Sequence, residues 1–367
     1  MGEIASWCGI EFSCSSSNPI YYSKNFYVNN TLITDLVIPY GVSSIGDYAF
    51  YCNTSLKSIE IPSTATDIAN YAFYLCKSLN YIWVNDNNPV YDDRGNCHAL
   101  IETSTNKLIL GCHNSYIPNS VTEIGAYAFY NCDLLTSITI PNNVTTIGDW
   151  AFGDCDGLTS ITIPSSVKEI GAYAFYWCSN LSNLYGYDGV TRVGNSAFES
   201  TPWYDNQSNG AVYINNVLYK YKGSCSGSYA VWSGATSISP YAFNDHDNLT
   251  AITIPGTVKS IGHYAFNSCD KLSSVTIKEG VKTIEYGAFR YCPALQTITL
   301  PASITEVGYW AFENSTNLSK IYCKMITPPS KFYIPTETKD IYVPHIAVND
   351  YKAAWSEYAD KIKGYSF

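Results

Sequence analysis

The chain has 367 residues, 46% of them hydrophobic and only 14% charged, so it can bury a large core and is not a disordered polymer. Its formal charge of −10 leaves no basic field to attract nucleic acid or an anionic membrane surface. No apolar run approaches the ~18 residues that would span a bilayer, so membrane insertion is not expected.

The first residues, Met1-Gly2-Glu3-Ile4, carry no basic head followed by an apolar stretch, so no secretory signal is readable there. Either the protein stays inside the cell, or the chain is a fragment of a longer one. Residues 1–45 read as the tail of an elongated coil, with Trp7-Cys8-Gly9-Ile10 and Phe12 as the remnant of a coil whose beginning is missing. Within them Phe26-Tyr27-Val28-Asn29-Asn30-Thr31-Leu32-Ile33 has the form of a hairpin turning at the two asparagines.

Then a repeat takes over. Ala-Phe ends at ten positions from Phe50 to Phe312, with successive gaps of 23, 56, 23, 23, 23, 45, 23, 23 and 23 residues. Ten of the 14 Phe residues therefore serve as repeat anchors. A clean copy runs from Leu158 to Cys178, and each of its positions has a physical task. Ile161-Thr162-Ile163 alternates in the period of a half-buried strand, and Pro164 stops it for want of an N–H. Val167 and Ile170 point inward on the return path, and Gly171 allows a tight or left-handed bend. Ala174 and Phe175 then fill the core. One such coil cannot bury its own apolar face, but a stack can. At about 4.8 Å per coil, roughly eleven coils would make a rod on the order of 50 Å.

The two long gaps are coils carrying inserts, expected at 85–117 and 199–230. The first reads as a hairpin with Ile101 opposite Leu108, Glu102 opposite Lys107 and Cys97 opposite Cys112. The second turns at Asn215-Asn216. After Phe312 the period fades, and residues 320–367 read as a C-terminal cap with helical character around Val348–Trp355. The fold class is an all-β-rich solenoid: a right-handed superhelix of short parallel strands joined by turns or short 3-10 segments, with two hairpin inserts and a cap. It is read as one domain over 1–367.

The Ile-Pro…Val…Ile-Gly…Tyr-Ala-Phe…Cys…Leu units, with the closing Tyr342-Val343-Pro344…Tyr351…Trp355, resemble the BspA-like branch of bacterial leucine-rich-repeat proteins from about residue 18 onward. That resemblance implies an exported cell-surface protein of adhesion type and brings no catalytic residues. One departure is visible: Pro occupies the bend where ordinary leucine-rich repeats ladder an Asn.

Seven cysteines follow Ala-Phe by two or three residues, and their equivalent placement predicts a reduced, buried column. His246 and Ser315 hold the same place in other coils, which a required disulfide or metal ladder would not tolerate. Cys97-His98 and Cys112-His113 form the sharpest local signal. Plain hairpin packing, a Cys97–Cys112 disulfide and a zinc site are the three readings, and adjacent strand residues facing opposite ways weigh against zinc. No nucleophile elbow, phosphate loop or His-Glu-Xaa-Xaa-His stands in the chain, so no enzyme activity, metal or cofactor is expected. A Tyr or Trp precedes Ala-Phe in eight coils of ten and reads as a structural stack outside the solenoid.

Outward strand positions are mostly Ser and Thr, as at Ser160 and Thr162. Tyr81, Trp83, Tyr185 and Tyr322 interrupt them, the first three just ahead of the inserts. Aromatics offer contact area with few rotors to freeze, so ligand contacts are expected at Tyr81, Trp83 and Tyr185, with the hairpins as walls. The function so read is a non-catalytic binding scaffold for a protein or glycan, cell-surface or secreted, monomeric; the alternative is a spacer or stalk module of a larger surface protein.

Overall fold

The computed structural model describes residues 2–329 and 332–367, and the chain divides into two compact units. One comprises the chain up to Val190 with Ser196–Asn206; the other comprises Thr191–Asn195 with Gln207–Phe367.

In the first unit the Ile-Xaa-Ile segments pair in parallel as expected. Asp35–Val37, Ser58–Ile61 and Tyr81–Val84 lie in register with Leu36, Ile59 and Ile82 in one row. Ser160–Ile163 pairs likewise with Asn183–Gly186. The strand ends at Ile163, one residue before Pro164, as the missing N–H requires. Ile161 and Ile163 are buried with Val167, Ile170, Ala174 and Phe175.

The return path is more regular than its sequence suggests. Each coil makes a second, two-residue strand there, such as Glu123–Ile124, Thr146–Ile147 and Glu169–Ile170, paired in parallel as Ile124–Ile147–Ile170. Two residues are too few to show a period, so only stacking reveals them. Ala-Phe forms a third line of coil-to-coil bonds, the Phe152 N–H donating to the Ala174 carbonyl at 2.8 Å. The phenylalanine rings stack along it: Phe175 lies 5.2 Å from Phe152 and 5.1 Å from Phe198, nearly coplanar with each.

Gly171 has another role than the one expected. The left-handed residue is Tyr173, at φ 57°, and Trp150 and Tyr127 repeat it at 57° and 61°. Gly171 is needed for space: a Cβ there would meet Asp149 N and Gly148 C at 2.5 Å. The aromatics held in this strained turn pack on one another, Trp150 against Tyr173 at 4.5 Å and Tyr48 against Tyr71 at 5.3 Å. A second tyrosine column stands edge-on to the first, with Tyr74 and Tyr130 stacked at 4.8 Å and Tyr74 at 83° to Tyr71. Burial among these rings pushes the Tyr127 phenol up to about 12 and raises Tyr74 further. This herringbone is self-packed structure, as the repeat position implied.

At the N-terminus, where a coil remnant is the reading from sequence, Gly2–Cys8 is a short helix. Trp7 packs against Phe12 and Phe26, and its indole N–H donates to the Ala49 carbonyl at 2.7 Å, covering the first coil. Tyr27–Val28 and Thr31–Leu32 form the expected hairpin, with Asn29 and Asn30 left-handed at φ 50° and 61°.

The second unit repeats the design. Leu249–Ile254 pairs with Gly227–Ala230 and Ser274–Ile277, and Phe243, Phe266, Phe289 and Phe312 stack in sequence. Gly210–Ile214 and Val217–Lys222 form the second insert hairpin around Asn215, at φ 51°. The cap closes with parallel strands Lys320–Cys323, Asp340–Pro344 and Ile362–Tyr365, and with the helix Val348–Ala354. Tyr351 and Trp355 are buried there, and the Tyr351 hydroxyl donates to the Met325 carbonyl at 3.1 Å.

Candidate functional site

Strand alternation puts Ile82 and Val84 into the core and turns Tyr81 and Trp83 outward, 39% and 40% exposed. Their rings stand parallel, 5.4 Å apart and 12° from coplanar. Across the strand, Trp83 pairs with Glu60 and Tyr81 with Ser58, whose hydroxyl donates to Asp35 at 2.5 Å. That bond holds the Asp35 carboxyl below its ordinary range. One flank of the aromatic pair is therefore acidic.

The other flank is the first insert. Its hairpin has the expected register, Ile101 opposite Leu108 and Glu102 opposite Lys107, and a shift between Leu108 and Leu110 ends the ladder at Leu100–Leu110. The chain before the hairpin comes back beside Tyr81–Val84. His98, left-handed at φ 54°, sets its ring edge-on to Tyr81 at 5.0 Å and to Trp83 at 6.1 Å. The His98 carbonyl accepts from the Ser115 hydroxyl, and Tyr116 N–H donates to the Cys97 carbonyl at 3.2 Å. His98 Nδ1 is buried without a hydrogen-bond partner. Sequence reasoning placed His98 with the cysteines; only the fold sets it against Tyr81 and Trp83.

Tyr185 also faces outward, 54% exposed, paired with Thr162 on the neighbouring strand. No aromatic or histidine ring contact is made by it among the described residues, so it stands as a single ring rather than a second walled pair.

Cys97 and Cys112 are free, buried thiols that turn to different partners. The Cys112 Sγ donates to the Asn80 carbonyl at 2.9 Å, while the Cys97 Sγ lies 3.9 Å from the Ala99 carbonyl. Burial raises both, Cys97 to about 11. Among the described residues no group of three or more His, Cys, Asp and Glu is placed to hold a metal ion. No helix among them is long and apolar enough to cross a membrane.

A third set of outward aromatics gathers in the cap. Tyr322, named by the sequence only as one departure from Ser and Thr, meets Tyr342, Tyr365 and Phe367 there. Tyr342 and Tyr365 escape sequence reasoning because no repeat precedes them.

The profile of the BspA type leucine rich repeat region matches residues 17–95, 101–221 and 236–345 in six copies. No curated protein matches the chain. Among solved structures it is similar to a leucine-rich repeat protein of Eubacterium ventriosum, at 28% identity over 83% of this chain and 68% of that one, with a TM-score of 0.41. A leucine-rich repeat protein of Bacteroides ovatus shares 24% identity over 90% and 92% of the two chains, with a TM-score of 0.38. A leucine-rich cell surface protein of Faecalibacterium prausnitzii shares 24% over 90% and 87%, with a TM-score of 0.34. The 23-residue coils, their parallel ladders and the profile together mean that the chain belongs to the BspA-type leucine-rich-repeat family, a binding or scaffold fold.

Proposed function

We propose that this chain is a non-catalytic scaffold, carried at the cell surface or secreted, that binds a protein or glycan on its outward strand face at Tyr81, Trp83 and Tyr185. The observation that carries the reading is the Tyr81–Trp83 pair. Two parallel rings remain about two-fifths exposed beside Ser58 and Glu60 of the neighbouring strand, with His98 of the insert closing one side. Rings kept in water at a cost are contact groups more readily than filler, because the core beneath them is already complete with Ile82 and Val84. Adhesion as the biological role follows from membership of the family. The test is a screen of the whole chain against glycan and matrix-protein arrays, followed by Trp83→Ala and Tyr185→Ala. Loss of binding by folded variants supports the site, and parent-like binding by both removes it.

A further inference from the structure

The cap carries a second, chemically different surface on the outer side of its sheet. Ile321, Cys323, Ile341, Val343 and Ile362 point inward and are buried. The alternate residues point outward: Lys320 and Tyr322, then Asp340 and Tyr342, then Lys363 and Tyr365. Tyr322 and Tyr342 are paired across the strands and stack at 4.7 Å, 13° from coplanar. Tyr365 stands across them, 5.4 Å from Tyr322 and 5.5 Å from Tyr342, and Phe367 lies 5.0 Å beyond. The strand before this cluster, Thr297–Leu300, sets only Thr297 and Thr299 on that face, against Lys320 and Tyr322. The change from hydroxyl to aromatic is abrupt, and the core below does not need it. Tyr365 is 42% and Phe367 50% exposed.

Charge says what such a platform fits. Residues 320–367 hold seven lysines against five Asp and Glu, a net of +2 in a chain whose total is −10. On the face itself Lys363 is neutralised by Asp340 at 2.5 Å. Lys320 lies directly across from the same Asp340, so two ammonium groups share one carboxylate, and the Lys324 ammonium stands 5.9 Å from the Phe367 ring. Exposed rings beside ammonium groups in excess of carboxylate match a ligand that is flat and apolar on one side and anionic at its edge. A pyranose ring bearing a carboxylate has that form, its C–H face lying on an aromatic ring and its carboxylate reaching a lysine. The rings project from the face of the sheet, so the contact they offer is through side chains rather than through the main-chain ladder of its edge strand Ile362–Tyr365.

We infer that the outer face of the cap, with Tyr365 and Phe367 as stacking surface and Lys320 and Lys324 as anion contacts, binds an acidic polysaccharide. This inference does not depend on the reading given to Trp83. The test titrates the whole chain with hyaluronan, with a neutral glucan and poly-glutamate as controls. Saturable binding to hyaluronan that weakens with salt is expected. Tyr365→Ala should weaken it about tenfold, and so should Lys320→Gln with Lys324→Gln, the latter with a shallower salt dependence. The lysine variants alter only exposed side chains, so they remain informative if Tyr365→Ala unfolds the cap. Absence of saturable binding overturns the inference, as does equal binding to the neutral glucan or to poly-glutamate. Parent-like affinity in the folded lysine variant overturns it as well.

Discussion

The Cys178 thiol donates to the main-chain carbonyl of Phe152, 3.0 Å away in the preceding coil. Cys155 does the same to Phe129 at 3.0 Å, and Cys269 and Cys292 to Phe243 and Phe266 at 3.2 Å. Where the repeat has Ser315 in place of cysteine, its hydroxyl reaches the Phe289 carbonyl at 2.9 Å. The column is thus a row of donors as well as small filler, and serine is accepted because it donates too.

Cys178→Ser should therefore stay within about 1 kcal/mol of the parent, whereas Cys178→Ala leaves a buried carbonyl without its donor and should cost about 1–3 kcal/mol. Denaturant unfolding of the two variants checks this. A serine variant less stable than the alanine one would show that packing, not the bond, holds the position.

The thiols should separate sharply in reactivity. Cys14 is exposed, and its hydrogen bonding with Ser16 and Ser17 brings it down to about 7. Burial pushes Cys8 and Cys97 to about 11 and Cys76 and Cys292 to about 12. A thiol reagent near neutral pH should meet one fast group, abolished by Cys14→Ser, with the rest appearing on denaturation. Several fast groups in the Cys14→Ser protein would contradict the burial of the column.

The same shifts set a pH dependence. Cys8, Cys76, Cys97 and Cys292 each have a folded pKa above the ordinary value of 9.0, so between the two values the folded chain holds protons that the unfolded chain has released. The contribution is whole below pH about 9 and falls away as pH rises toward about 11–12. The urea midpoint should be level from neutral to about pH 9 and then decline. A midpoint unchanged up to about pH 11 would mean that these thiols are not buried in solution.

Gly171→Ala tests why the glycine is there. Its Cβ would strike Asp149 N and Gly148 C at 2.5 Å, both main-chain atoms that cannot turn aside, so a loss of about 1–3 kcal/mol is expected. Gly41 offers the opposite case, with φ 98° and nothing within 4 Å. Gly41→Ala carries backbone strain of about 1–2 kcal/mol with no steric clash and should be the milder change. Thermal melts of the two variants decide, and the reverse order would return Gly171 to a conformational role.

Phe175→Ala removes a ring enclosed by Phe152 and Phe198 and should cost about 3–5 kcal/mol. Tyr173, half-buried in the outer column and stacked on Trp150, should lose about 1 kcal/mol when cut to alanine. Equal losses would mean that the outer column carries as much of the fold as the core.

The repeat, its strand, the two hairpins and the cap were legible in the sequence because each is set by residues close together: an alternating triplet, a proline, an Asn-Asn turn, a 23-residue period. Such signals depend on backbone geometry and on the need of every coil to bury the same face. The sequence also marked Tyr81, Trp83 and Tyr185 as outward, since parity along a strand decides that alone. What stacked against them it did not contain. His98 meets Tyr81 only because the insert folds back beside that strand, and Tyr322, Tyr342 and Tyr365 meet only because three strands of unequal spacing come into register. The donor role of Cys178 and the crowding at Gly171 likewise exist only between one coil and the next. Local periodicity determined the coil, and contact between coils decided its chemistry, because distances across a stack depend on register and not on order in the chain.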